Sequence, residues 1–358
     1  MTHTPSADRW QLMAAPGRRW NRLSLLAKLL VPTALTLLLI TVTLSAINYQ
    51  SSRQNIIDAE NRQLEAAYQD YLAYLAAQSE HALALAMQIA NQPTAQAAVA
   101  DRDRDALMAA FFDTYTALNA AFDIPQAQFH IPPATSLLRL HDPESPQDDL
   151  SGFRFTVLDT NINRQPTYGI EVGRGGPGIR GVVPVTHNGQ HVGSFEIGMN
   201  ITATSLQQMQ TIHGGDWHLY LDANAAAIAT LTGFRIEAAG PVEGLLSFAS
   251  TGGDFLPVAA ADYDSVLMTS QPHITRLNNN NGDAYAVFVA PLQDYRGHTI
   301  GLLQIDMNRN AVVAQIVATQ VQTLGLGLGM SVVMLFLLWW VIHRALTPVH
   351  KLTQPPKP

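Results

Sequence analysis

VVPVTHNGQHVGSFEIGMN, residues 182–200, is the stretch on which the fold turns. Two alternating, largely apolar runs flank Asn188-Gly189, a dipeptide that tolerates the positive φ angles of a two-residue hairpin turn. The pattern returns at residues 288–308 as FVAPLQDYRGHTIGLLQIDMN. Pro184 falls on Pro291, Gly193 on Gly301, Ile197 on Ile305, and Met199-Asn200 on Met307-Asn308, with one extra residue in the second turn. Each copy reads as a closing antiparallel hairpin. The chain therefore contains two related α+β units in tandem, with a boundary expected within residues 201–211.

Working outward, the first unit offers further short strands bounded by turn residues: QFHI at 128–131, TSLLRL at 135–140 and TYGIEV at 167–172. The second offers WHLYLDA at 217–223 and AAAIATL at 225–231, helical hints at 262–268 and a loop tip at 278–281. Ahead of both units, residues 49–90 lack Gly and Pro and are rich in Ala, Leu, Gln and Glu, which favours helix. Ile57, Leu64, Tyr68, Tyr71 and Leu75 form a one-sided apolar stripe on it. Such a stripe suits either a dimeric stalk or a helix lying on the chain's own sheet, and one long helix can do both. Pro93 ends this helix, and residues 101–122 read as another helical stretch.

The net charge of −7 conceals a partition. Residues 1–28 carry Arg9, Arg18, Arg19, Arg22 and Lys28 against Asp8, and Arg344, Lys351 and Lys357 follow residue 342. Everything between holds thirteen Arg, no Lys and 27 acidic residues. The two basic flanks adjoin uncharged apolar runs, LLVPTALTLLLITVTLSAI at 29–47 and residues 324–342 ending FLLWWVI. Each is about as long as the ~20 residues that cross a hydrocarbon core. The first run exceeds a cleaved signal core. The positive-inside rule then expects two spans in a bacterial inner membrane, both termini cytoplasmic and the acidic segment periplasmic. The absence of cysteine excludes disulfides, thiolate nucleophiles and Cys-ligated metals.

The blocks QFHIPPATSLLRLHDPESPQDDLSGFRFTV (128–157), GIEVGRGGPGIRGVVPV (169–185) and HNGQHVGSFEIG (187–198) resemble the periplasmic double-Cache sensors, in particular their third family. The resemblance implies an α+β fold: a long N-terminal stalk helix plus two tandem PAS-like antiparallel-sheet domains, flanked by two transmembrane helices. It assigns a cytoplasmic tail to 1–28, the first span to 29–48, and the stalk with its following helical segment to 49–122. A membrane-distal Cache domain is expected at 123–208, a membrane-proximal one at 209–310, and an exit helix with the second span at 311–342. HRALTPVHKLT at 343–353, with Pro348, resembles the opening of a HAMP helix, and the chain then stops with QPPKP. The family implies a receptor on chemotaxis proteins, sensor kinases or diguanylate cyclases, homodimeric through stalk and membrane helices, with a small-molecule ligand. No kinase, cyclase or methyl-accepting output module is read in these residues, so the chain is not expected to be an enzyme.

Scarce positive charge concentrates in the distal block, as Arg139, Arg154, Arg174 and Arg180. Arginine forks hold carboxylates and phosphates, so their convergence points to an anion pocket. By strand period Arg139 and His141 are expected on one face of a strand, with Arg180 on the facing strand. His141 and Glu171 are expected to add a donor and an acceptor. The competing reading pairs these arginines with Asp148, Asp149, Asp159 or Glu171 as structural ion pairs. Gly173–Gly178 matches GxGxxG, but a strand-like run follows it where a dinucleotide site needs a helix, so a flexible loop rimming the pocket is expected. His187 and His191 flank a hairpin turn with no third ligand, Asp101, Asp103 and Asp105 alternate with Arg102 and Arg104, and no nucleophile elbow, Walker sequence or HExxH occurs. No metal, cofactor or nucleic acid is expected. Two functions remain: a transmembrane receptor for a small anionic or zwitterionic ligand, or a ligand-free scaffold that signals through a partner.

Overall fold

The structure is a computed structural model that describes residues 24–230, 238–253 and 256–352. Helix α1 (Leu25–Ala90) ends three residues before Pro93, which opens α2 (Pro93–Asp101) where its missing N–H costs nothing. Sequence reading missed α2 and placed its end inside the next helix. Arg102 closes α2 in the left-handed conformation, and Asp103 caps α3 (Arg104–Phe122) by accepting from the Ala106 N–H. The alternating charges at 101–105 are thus a helix-to-helix junction.

The first sheet follows: β1 (Gln126–Ile131), β2 (Thr135–Arg139), α4 (Phe155–Asn163), β3 (Thr167–Gly173), β4 (Gly176–His187) and β5 (Gln190–Asn200). All pairings are antiparallel, in the order β2-β1-β5-β4-β3. Asn188 and Gly189 take φ of 50° and 78°, the turn their sequence demands. Helix α5 (Ala203–His213) follows the first sheet and leads to β6 (Asp216–Asp222), α6 (Ala223–Ala226), β7 (Leu245–Ser250), α7 (Ala260–Thr269), β8 (His273–Asn278), β9 (Ala284–Gln293) and β10 (Thr299–Asn308). The second sheet runs β7-β6-β10-β9-β8, the same topology with the repeated hairpin in the same place.

The described part of 225–231 is not a strand. It begins in α6, capped by Asp222, which accepts from the Asn224 and Ala225 N–H groups, and residue 231 lies outside the described residues. The strand in its place is β7, and neither β7 nor β8 shows in the sequence.

Four of the five residues of the stalk stripe pack into the chain's own fold, and Ile57 is half-buried. Leu64, Tyr68, Tyr71 and Leu75 are buried. Tyr71 meets Trp217 edge-on at 6.0 Å, Tyr68 lies 5.7 Å from Phe288, and the Tyr68 hydroxyl donates to the Pro291 carbonyl at 2.8 Å. Further along α1, Gly181 of β4 lies against the helix backbone: a Cβ there would meet Leu83 N at 2.3 Å.

Residues 60–310 form one compact unit. The other comprises residues 1–59 and 311–358, of which 24–59 and 311–352 are described, the latter within α8 (Asn310–Leu352). Here the two helices touch through Thr41 Oγ1 and Ser331 Oγ at 3.0 Å and through Asn48 Nδ2, which donates to Thr323 Oγ1 at 3.0 Å. Both helices are long and apolar enough to cross a membrane, and Leu35, Leu39, Leu326 and Phe336 lie exposed on them. Most of the basic tail (1–23) and the end of the HAMP-like segment (353–358) lie outside the described residues.

Candidate functional site

Strands β4 and β5 bring Arg180 and Glu196 to the middle of the first sheet, both 1% exposed. An arginine there needs room for its guanidinium, and glycines supply it. A Cβ at Gly198 would meet Arg180 Nη1, and one at Gly178 would meet Nη2 at 2.8 Å. Gly178, the last glycine of the GxGxxG match, therefore helps to admit the guanidinium, as Gly198 does from β5. The match is also no flexible loop: Gly173 pairs with Gly176 across a tight β3–β4 hairpin turn formed by Arg174 and Gly175.

Around this centre the charges interlock. Glu196 Oε1 lies 2.5 Å from Arg154 Nη2 and 3.7 Å from Arg180 Nη1, and its Oε2 is 3.6 Å from His130 Nε2. Burial alone would raise the Glu196 pKa, but Arg154 and Arg180 outweigh it and hold the carboxyl at about 2. Burial lowers His130 to about 3, so its ring is neutral at neutral pH. Arg154, immediately before α4, donates Nε to Glu171 Oε2 at 2.9 Å. Glu171 also accepts from the Thr156 N–H at 2.8 Å and the Thr156 hydroxyl at 2.6 Å.

Arg180 is left poorly compensated. Its Nη1 donates to Gln126 Oε1, its Nε has no hydrogen-bond partner among the described residues, and its ion-pair contact to Glu196 is longer than that of Arg154. Burial first, then the Arg154 charge, lowers its pKa to about 10.

These groups border a cavity of about 160 Å³ lined by Arg139, His141, Arg154, Arg174 and Arg180, with Gln126 and Asp148 beside them. Five of the six candidate residues thus converge. Glu171 does not line the cavity: both its oxygens are spent on Arg154 and Thr156 behind it. The expected facing of Arg139 and Arg180 is also corrected, because β1 and β5 lie between β2 and β4. His141 sits beyond the end of β2 in a turn, its Nδ1 3.1 Å from the Ala127 carbonyl oxygen, and burial lowers its pKa. At the rim Asp148 accepts from Arg139 Nη2 at 2.5 Å and from Arg174 Nη1 at 2.6 Å, and Arg174 lies over the Phe153 ring at 4.9 Å. Asp159 binds Arg296 instead, and Asp149 accepts from Ser151.

Sequence reasoning missed Glu196, His130 and Gln126. The signal for Glu196 was present, a carboxylate in the middle of the strand SFEIG, where nothing but burial was expected.

Residues 58–311 match the family model described as the double sensory domain of two-component sensor kinase, a double-Cache family. The chain belongs to this double-Cache family. No curated protein matches it. Solved structures with a similar course include the sensory domain of the Campylobacter jejuni chemoreceptor Tlp3 with isoleucine bound, at 11% identity and TM-score 0.42, covering 74% of this chain and 95% of that one. The V. cholerae histidine kinase DctB sensor domain matches at 10% identity and TM-score 0.44, covering 71% and 98%. A domain of a putative sensory box/GGDEF family protein from Vibrio parahaemolyticus matches at 13% and 0.42, covering 72% and 97%. Within the double-Cache chain, the cavity lies at the first of the two sheets, and the five candidate residues that line it come from β2, β4 and the loops beside them.

Proposed function

We propose that this chain is the input region of a homodimeric receptor in a bacterial inner membrane, with both termini cytoplasmic and the two sheets in the periplasm. A small anionic or zwitterionic molecule binds in the cavity of the first, membrane-distal domain, and occupancy is relayed through the second domain to α8. The observation that carries this reading is Arg180: a buried guanidinium at the cavity wall whose Nε has no hydrogen-bond partner among the described residues. A ligand carboxylate would supply the missing acceptor, and a charge-assisted hydrogen bond is among the stronger ones available. The small volume favours a ligand of amino-acid size, and Asp148 at the rim offers an acceptor for a ligand ammonium. Binding would select one of two arrangements of the domain that exist without ligand.

One observation favours the scaffold reading instead: Asp148 already serves Arg139 and Arg174, and Glu171 serves Arg154. A thermal-shift screen of the full chain against small carboxylates and amino acids separates the two. A ligand at 100 times its Kd stabilises by about 2.7 kcal/mol. The receptor reading expects such a shift, diminished in Arg180→Ala and Arg139→Ala. No shift with any compound, together with a constant co-purifying protein, would support the scaffold.

A further inference from the structure

The turn joining β9 to β10 in the second domain reaches into the first. Tyr295 N–H donates to the Ile170 carbonyl of β3 at 2.9 Å, and its hydroxyl donates to Asp159 Oδ2 of α4 at 2.7 Å. Arg296 donates Nη2 to Asp159 Oδ1 at 2.7 Å and Nε to Oδ2 at 3.1 Å, and its guanidinium lies 4.5 Å from the centre of the Phe155 ring. Gly169 has φ of 137°, and a Cβ there would lie 2.7 Å from Tyr295 Cβ, so the close approach requires glycine.

The elements this turn grips are the ones that hold the cavity arginine. Ile170 is followed on β3 by Glu171, which binds Arg154, and Phe155 and Asp159 lie on α4 beside Thr156, which also binds Glu171. On the other side the turn continues into β10, a central strand paired with both β6 and β9. Its end is fixed in turn: Arg309 donates Nε to the buried Glu60 of α1 at 3.0 Å, Glu60 also pairs with Arg276 of β8, and α8 begins at Asn310.

We propose that the Tyr295–Arg296 turn is the coupling element that links the setting of Arg154 in the cavity to the position of β10, and thereby regulates the ligand site proposed above. Tyr295 and Arg296 are positioning residues: neither lines the cavity, and both act through Asp159 and Ile170 on the Glu171–Arg154 pair. Coupling of this kind is reciprocal, so whatever displaces the turn alters ligand affinity, and ligand alters the turn. The inference rests on the ligand reading, but half of its test does not.

Hydrogen exchange on the full chain in lipid nanodiscs, with no ligand added, compares wild type with Tyr295→Phe and Arg296→Ala. Losing a hydrogen bond to a carboxylate is expected to speed exchange by about tenfold in residues 155–163 and 167–173, leaving 126–139 unchanged. Acceleration confined to residues 290–300 overturns the coupling. Calorimetric titration with L-isoleucine, L-glutamate and succinate forms the second half. Where wild type binds one of these, Tyr295→Phe is expected to change its Kd severalfold, and an unchanged Kd overturns the proposal. If wild type binds none, that result counts against the ligand reading, and the exchange comparison alone decides the coupling.

Discussion

Replacing Glu196 with Gln keeps the shape of the side chain and removes the charge that two buried guanidiniums share. Two routes give the cost. A carboxyl held at about 2 against its ordinary value of 4.5 contributes about 3 kcal/mol at neutral pH, at 1.36 kcal/mol per pH unit. Removing one partner of a buried ion pair costs about 3–5 kcal/mol. The routes agree near 3 kcal/mol, which for a unit of this size lowers the melting temperature by roughly 6–12 °C. The sign of the pH dependence follows from a depressed folded pKa. The stabilisation is fully present above the unfolded value near 4.5 and is lost as pH falls towards about 2. Melting curves of the full chain in detergent, wild type and Glu196→Gln at pH 7 and pH 3, read both effects. The difference should be large at pH 7 and clearly smaller at pH 3. A pH 7 difference under about 2 °C, or one that does not shrink on acidification, would refute the reasoning, since a shared buried carboxylate cannot be silent.

Gly181→Ala places a methyl against the α1 backbone at Leu83, and such overpacking costs about 1–3 kcal/mol, or more where backbone must move; a melting temperature equal to wild type would count against the close packing of helix on sheet. Glu60→Ala strands Arg276 and Arg309 together at a partly buried site and is expected to lose about 3–5 kcal/mol, while Glu60→Gln retains hydrogen-bond acceptance and loses less; denaturant titration of both variants checks the order.

What the sequence revealed follows its physics. The first hairpin was legible because Asn188-Gly189 stands between two short apolar runs, and the shared landmarks Pro184/Pro291 and Gly193/Gly301 carried the reading to the second. Strands β7 and β8 were not, because they are edge strands, half-buried along most of their length, without the apolar alternation that marks a sheet face. AAAIATL was misread because a short apolar run does not by itself separate a strand from the end of a short helix and the turn after it. At the site the arginines stood out by their rarity in a lysine-free acidic segment. Their partners did not: Glu196 lies on the other strand of the same hairpin as Arg180 but was read only as part of a strand, and Gln126 reaches Arg180 from β1 through the order β2-β1-β5-β4-β3, which is not written in any local pattern. Glu171 was singled out as a ligand acceptor, but its carboxylate is fully engaged by Arg154 and Thr156.

The central claim, that the cavity exists to take a carboxylate at Arg180, is tested most directly by charge discrimination. Small carboxylates and their uncharged amides of the same shape are titrated calorimetrically into the full chain. A hydrogen bond to a charged group is worth about 1.5–3 kcal/mol, so one acid is expected to bind at least about tenfold tighter than its amide. In Arg180→Met, which replaces the guanidinium with an apolar side chain, that preference should vanish. Equal affinity for acid and amide in the wild-type chain, or a preference that survives Arg180→Met, would contradict the account.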